Sequence, residues 1–320
     1  MIRFITLFIA IALFSGGVYV FAADRTETFA RMNKNHQIVK IQDVEVKVPV
    51  RPQRVAFLTT SSMELWVAAG GADVIIARPS ANFLPETVLA TLPEDAVNLG
   101  TANVISVENV IKQNPDLVIG SAMVNIQQQM ARPLQAAGIP MLAMPNYGID
   151  DICEELSLYG MLTGNEEKAQ GVIKKMRDNI AFEAKRRENI PKKKVLFVWG
   201  TPVSSSMALH ASRQGDILQM AGGENIAIDP GTGAKFLPFS LEYAVEADPD
   251  FVVFASHGNR KKLEMMMKKI LSDSSSWQTI RAIRENRYAV LPPELFAANP
   301  GPRIDEAVVY LSRLLYPEDK

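Results

Sequence analysis

The sequence predicts an α/β protein of two similar lobes, each a mainly parallel sheet flanked by helices, joined by one long backbone helix. Three observations carry this expectation. Short apolar runs alternate with helical stretches, the pattern of parallel strands covered on both faces. One long amphipathic helix divides those runs into two groups. A short unit of sequence recurs once in each group. The 320 residues are enough for two such cores.

The chain opens with a segment of its own kind. Arg3 supplies a positive start, Ile5 to Phe14 is almost unbroken apolar sequence, and Val18 to Phe21 continues it. Val20-Phe21-Ala22 places small residues at the spacing a signal peptidase reads, ahead of Asp24-Arg25. Residues 1–22 are therefore expected to be a signal peptide cleaved near Ala22/Ala23, with an uncleaved anchor as the alternative. Cys153 is the only cysteine. It can form neither an internal disulfide nor a thiolate metal site of the usual kind, and it lies far from any lipidation point. A periplasmic, non-lipidated protein follows as the expectation.

Residues 23–148 are assigned to the N-terminal lobe. Val39 to Val48 alternates loosely and reads as a short hairpin or edge strand. Val55 to Leu58, Val74 to Ile76, Leu117 to Ile119 and Met141 to Ala143 are candidate buried strands. Residues 149–190 are the connecting helices. Ile149 to Thr163 forms one, closed by Gly164. Glu166 to about Glu188 forms the next, with Ala169, Ile173, Met176, Ile180 and Ala184 as its apolar stripe. Acidic residues at its start and basic residues at its end suit the helix dipole, and Pro191 stops it. Residues 191–320 are the C-terminal lobe, with strands at Val195 to Val198, Phe251 to Phe254 and Tyr288 to Leu291.

The repeat is the most informative feature. Ser106-Val107-Glu108 leads to Asn114-Pro115-Asp116 and an apolar strand; Ser240-Leu241-Glu242 leads to Asp248-Pro249-Asp250 and another. Each reads as a serine N-cap, a short helix, a proline stop and a buried strand.

In these residues the chain, from about Arg51 to the C-terminus, resembles the helical-backbone, bilobal substrate-binding proteins of ABC importers for iron chelates, haem and cobalamin. Arg54-Val55, Ser62-Met63-Glu64-Leu65 with Ala69-Gly70, Gly222 to Ile226, and Arg303-Ile304 to Tyr316-Pro317 support the likeness in order and spacing. The segment before Pro49 is similar to the opening of iron-chelate members. The resemblance implies capture of a metal chelate, a ferric siderophore or haem, and delivery to an ABC permease dimer; a cobalamin or corrinoid ligand is the alternative. It also implies that Glu108 and Glu242, one per lobe, dock on permease arginines. Spacing alone would give them only a dipole-complementing role. No cofactor, no catalysis and a monomer are expected. An enzyme of another class, a two-lobed tetrapyrrole metal chelatase, is the rival.

In open α/β sheets, ligands bind beyond the carboxyl ends of the strands. That rule selects Phe83, Asn103, Tyr147, Trp199, Lys235, Phe236, His257 and Phe296, because a large planar chelate suits aromatic walls with a few polar anchors. Arg78 and Lys235 are candidates to pair with ligand carboxylates. Of the three histidines, His257 alone follows a strand where it could meet haem iron, and no protein metal site is expected. Arg303 is expected to be structural. Gly222-Gly223 and Gly231-Thr232-Gly233 lack the phosphate-loop pattern. No catalytic constellation of serine, histidine and acid stands out. A net charge of −1 gives no case for nucleic acid.

Overall fold

The computed structural model of the chain describes residues 30–31, 35–81, 84–145, 148–201 and 204–317. A small antiparallel sheet comes first, from β1 (Ala30–Arg31), β2 (His36–Ile41) and β3 (Val44–Pro49) in that order. The alternation seen in the sequence does its expected work here. Val39 and Val48 are fully buried against the main core, while Val44 stays exposed.

The first lobe then runs β4 (Val55–Phe57), α1 (Thr60–Ala68), β5 (Ile75–Arg78), α2 (Glu86–Leu89), β6 (Val97–Asn98), α3 (Val107–Lys112), β7 (Leu117–Ser121), α4 (Asn125–Ala136) and β8 (Met141–Met144). Its strands lie in the order β6-β5-β4-β7-β8, all pairs parallel. Two helices follow, α5 (Ile149–Thr163) and α6 (Glu166–Arg186). The second lobe runs β9 (Lys194–Thr201), β10 (Ser204–Ala208), α7 (Arg213–Met220), β11 (Glu224–Asn225), β12 (Phe236–Pro238), α8 (Leu241–Ala247), β13 (Phe251–Ala255), α9 (Arg260–Asp273), α10 (Arg281–Arg284), β14 (Tyr288–Val290), α11 (Pro293–Phe296) and α12 (Ile304–Leu315). Its sheet has the order β12-β10-β9-β13-β14, with β11 also beside β9. This sheet is mixed, because β10 pairs antiparallel with both β9 and β12.

The sequence repeat has a structural purpose. Ser106 and Ser240 cap α3 and α8 in the same way, each hydroxyl accepting from the backbone N–H three residues on. Asn114 and Asp248 both take the left-handed conformation that ends the helix, at φ 50° and 45°. Asp116 and Asp250 then lock the next strand beside the central one. The Asp116 carboxylate accepts from the N–H groups of Gln53 and Arg54, and the Asp250 carboxylate from that of Lys194. Each aspartate also donates its own N–H to the same neighbouring strand, at Arg54 O and Lys194 O. The outcome is one register in both lobes, Leu117 beside Val55 and Phe251 beside Val195.

Helix α6 is built into both lobes. Its 21 residues span about 32 Å at 1.5 Å each. Gly164, just before it, takes φ 74°, and the Arg51 guanidinium packs where a Cβ would stand. At the far end Arg186 donates to Tyr316 O at 2.9 Å. Ala169, Ile173 and Met176 form the buried stripe, but its last buried position is Glu183 and not Ala184, which is exposed. Glu183 is buried because three partners meet it there. Arg186 Nε (2.8 Å), Arg313 Nε (3.0 Å) and Ser312 Oγ (3.0 Å) all donate to its carboxylate. Burial pushes this carboxyl up, yet those hydrogen bonds outweigh it and hold the group below the usual range.

One apolar core runs through both lobes. It includes Phe57, Trp66, Tyr159, Met176, Phe197 and Leu311. Separate clusters cover the other face of each sheet, around Val118 and Leu134 in the first lobe and Phe254 and Trp277 in the second. Both sheets are thus buried on two faces, which explains their continuous apolar strands.

Candidate ligand-binding cleft

Each sheet has one place where the chain departs to opposite sides of its first strand, between β4 and β7 and between β9 and β13. Such switch points open a crevice at the carboxyl ends of the strands. In the second lobe that crevice is aromatic. Trp199 lies near the end of β9, paired with Ala255 of β13 on one side and Ser206 of β10 on the other. His257 follows β13 by two residues, and its ring meets Trp199 edge-on at 5.5 Å. Phe236, at the start of β12, lies 5.9 Å from Trp199 on its other side. Three of the residues selected from sequence therefore form one aromatic group, and Phe236 keeps 36% of its surface exposed.

Lys235 is next to this group and reaches across to the first lobe. Its Nζ lies 3.6 Å from Met123 Sδ. Met123 sits in the turn after β7, where its N–H donates to Ser121 Oγ at 3.0 Å. Buried Gln127 fixes that turn, accepting from Ser121 N and donating to Leu58 O and Ala102 O. Met123 and Ile126 are exposed, so the first lobe offers an apolar rim opposite the aromatic group. Burial lowers the Lys235 pKa; the Asp151 charge opposes that and the Arg213 charge adds to it.

Arg213, Asp151 and Met123 were not selected from sequence. Arg213 opens α7, behind the Ser212 cap. It is tied to Lys235 through Leu209, whose N–H donates to Lys235 O and whose carbonyl accepts from Ser212 Oγ. Asp151 and Asp216 both serve the start of α5. Gly148 N–H donates to Asp151 at 3.1 Å, and Ile149 N–H donates to Asp216 at 3.2 Å, tying the second lobe to the connecting helices. Burial pushes the Asp216 carboxyl up, partly offset by Ile149 N–H and reinforced by the charges of Asp150 and Asp151.

The remaining candidates separate. Phe296 is a correction: it is fully buried and cannot line the cleft. The chain turns at Pro292 and Pro293 into α11, which rolls Phe296 under the sheet against Phe197 (6.4 Å) and Tyr310 (6.0 Å). Asn103 is exposed in the turn before α3. Arg78 is half-buried at the end of β5 and donates to Pro79 O at 3.2 Å. Phe83 and Tyr147 lie outside the described residues. Glu108 and Glu242 are both exposed on the first turns of α3 and α8. A helix preceding a parallel strand runs against it, so both first turns face the carboxyl ends of their sheets, the same side as the cleft. The Ser106 hydroxyl donates to Glu108 at 2.5 Å and holds its carboxyl below the usual range.

Among the described residues, no group of three histidine, cysteine, aspartate or glutamate side chains is placed to hold a metal ion. No described helix is long and apolar enough to cross a membrane. A groove of about 540 Å³ between α6 and α12, lined by Phe182, Leu295 and Tyr310 among others, shares no residue with the aromatic group.

Against known proteins, residues 55–295 match the family model described as periplasmic binding protein. The chain is 23% identical over 92% of its length to the uncharacterized ABC transporter substrate-binding lipoprotein YvrC of Bacillus subtilis, covering 91% of that protein. It is 26% identical to a cobalamin-binding protein of Halobacterium salinarum, over 83% of this chain and 70% of that one. It is 24% identical to the high-affinity heme uptake system protein IsdE of Staphylococcus aureus, over 73% and 80%. A solved ABC transporter substrate-binding protein from Listeria monocytogenes superposes with a TM-score of 0.73 at 21% identity, over 84% of this chain and all of that one (100%). The fold and the resemblance expected from sequence are thereby established. These relatives bear the names of a transporter's substrate-binding lipoprotein, a cobalamin-binding protein and a heme uptake protein, none of them an enzyme's name, which sets the chelatase rival aside. This chain belongs to the periplasmic binding protein family.

Proposed function

We propose that this chain captures a metal chelate, a ferric siderophore or haem, between its two lobes and hands it to an ABC permease dimer. The observation that carries the reading is the aromatic group of Trp199, Phe236 and His257 at the switch point of one sheet, with Met123 of the other lobe opposite it across Lys235. Flat aromatic and thioether surfaces suit a broad, rigid ligand, and a few polar groups at the edge suit its orientation. We place the working protein in the periplasm, as a monomer freed of residues 1–22 and without lipid. That segment lies outside the described residues.

A cobalamin ligand is the second reading, favoured by the Halobacterium relative, whose name gives that ligand. Visible absorption spectra of the purified protein, titrated separately with haem, ferric siderophores and cyanocobalamin, decide between them. Saturable one-to-one binding of haem or a ferric siderophore supports the first reading, and of cyanocobalamin alone the second. Saturable binding of none of them overturns both.

A further inference from the structure

Helix α9 carries its charge in the wrong order for a helix. Arg260, Lys261 and Lys262 occupy its first turn with no acid among them, and its last turn holds Asp273 and no base. The helix dipole disfavours both placements. Helix α6 shows the ordinary arrangement, with Glu166 and Glu167 at its start, Lys185 and Arg186 at its end, and Lys174 paired to Asp178. Arg260 is compensated, because its Nε donates to Glu264 at 2.8 Å and its guanidinium lies over the Tyr310 ring. Lys261, Lys262, Lys268 and Lys269 are exposed, and none of them forms an ion pair among the described residues. Met265 and Met266 lie among these lysines. Met265, at 74% exposure, is the most open large apolar side chain among the described residues. At about 100° per residue the six side chains share one arc of roughly 160°, in the order Lys268, Lys261, Met265, Lys269, Lys262, Met266. The opposite side of the helix faces the core: Leu263, Met267 and Leu271 are buried in the cluster around Phe254 and Trp277.

The fold gives this face a definite place. Helix α9 is the crossover between the parallel strands β13 and β14, so it begins at the carboxyl ends of the strands, the side that holds the cleft and the first turns of α3 and α8. The cluster it packs into belongs to the second lobe and lies apart from the core shared by both lobes, and β14 is an edge strand. The start of α9 is therefore on the side of Glu108 and Glu242, but out at the flank of the second lobe. We propose that the outer face of α9 rests on the anionic phospholipid headgroups of the membrane that holds the permease. This goes beyond chelate capture and rests on the delivery reading for its use. A protein that sets its cleft side on a permease brings its flank to the bilayer around it. The lysines complement phosphate, and a flexible thioether between them can enter the headgroup boundary. An acidic loop of the permease would meet the lysines as well, but gives no reason for two exposed methionines.

The test is flotation of the protein with vesicles, one set of phosphatidylcholine alone and one of phosphatidylcholine with phosphatidylglycerol. The chain is used without residues 1–22, whose apolar run would itself enter a bilayer; every described residue is kept. Binding should be at least about tenfold stronger to the anionic vesicles, and should fall toward the neutral level as salt rises. Lys261→Gln, Lys262→Gln, Lys268→Gln and Lys269→Gln together should abolish that preference. Met265→Ser with Met266→Ser should weaken it several-fold while the lysines remain. Lys185→Gln, Lys192→Gln and Lys194→Gln together, at another basic stretch, should leave it unchanged. All these side chains are exposed, so the variants should fold and keep the chelate affinity of the parent. Equal binding to both kinds of vesicle, or to neither, overturns the inference. So does a loss as large in the second lysine variant as in the first, which would mean diffuse charge and no defined face. Binding that requires the permease, and is the same in neutral and anionic bilayers around it, overturns it in favour of an acidic protein partner. Chelate titrations of the same preparations are read separately: their failure would remove the capture reading and leave the vesicle result standing.

Discussion

Arg303 Nε lies 2.8 Å from Glu64 Oε1 and its Nη2 lies 3.4 Å from Oε2, a pair separated by 239 positions in sequence. It fastens α1 of the first lobe to the turn that opens α12. Both side chains are out of water, Glu64 at 3% exposure and Arg303 at 16%. Burial pushes the Glu64 carboxyl up more than Arg303 pulls it down. Arg303→Ala should therefore cost about 3–5 kcal/mol, because it strands a buried carboxylate. Arg303→Met paired with Glu64→Gln should cost much less. Denaturant unfolding at neutral pH measures both, and equal losses would show that the charge is not what matters.

Asp216 gives the stability a pH dependence of known sign. Its folded-state pKa is raised, by burial first and by Asp150 and Asp151 after it. The folded state therefore takes up this proton before the unfolded state does as pH falls. The penalty of a buried charge is present at neutral pH and is relieved between the raised value and the ordinary one near 3.8. Asp216→Asn keeps an oxygen for Ile149 N–H and removes the charge. It should be neutral or stabilising at pH 7.5, with the difference from wild type vanishing in acid. Melting curves of both proteins from about pH 4 to 7.5 test this, and a variant weaker than wild type at neutral pH would contradict it.

Ligand binding should produce a small closing motion. Helix α6 has no proline between Glu166 and Arg186, and sharp bends need such a defect. Glu183 clamps the helix to α12, Asn179 donates to Asp305 at 2.7 Å, and the core on its inner side continues from one lobe to the other. A wide hinge would have to split that core. Small-angle scattering with and without ligand should give nearly the same radius of gyration; a large drop would refute the rigid-helix account.

Trp199 should matter more than Phe236. Its ring touches both other members of the aromatic group, whereas Phe236 touches Trp199 alone within it. Alanine at either position should weaken chelate binding by about 1–3 kcal/mol, with Trp199→Ala the larger loss. Isothermal titration on folded variants checks the order. Unchanged affinity in both would remove the aromatic group from the site.

The parts of this fold legible in sequence are those where apolar burial is continuous. Strands β4, β7, β9 and β13 are buried on both faces and read as unbroken apolar runs. Strands β10 and β12 do not: β10 opens with three serines, and β12 is an edge strand ending in proline. Phe296 was misplaced for a related reason. Position after a strand predicts the cleft only if the chain continues outward, and Pro292-Pro293 turns it inward. Trp199 and His257 stand out in sequence because one lies near the carboxyl end of the central strand β9 and the other two residues past β13.

Glu108 and Glu242 should serve transport and not ligand capture. The repeat sets them at matching places, and the fold keeps both exposed on the first turns of α3 and α8, facing the cleft side of the molecule. The Ser106 hydroxyl keeps Glu108 ionised. One such charge per lobe matches a partner with two-fold symmetry, where paired arginine clusters would fix the docking orientation. Exposed ion pairs add little binding free energy. Their contribution should lie in encounter rate and orientation, and should weaken as salt rises. Alanine at both positions should leave chelate affinity and melting temperature nearly unchanged while uptake of labelled chelate by cells falls sharply. A loss of chelate binding would instead assign the two glutamates to the cleft. Uptake at the wild-type level would reduce them to what spacing alone gives, carboxylates that complement the dipoles of two short helices.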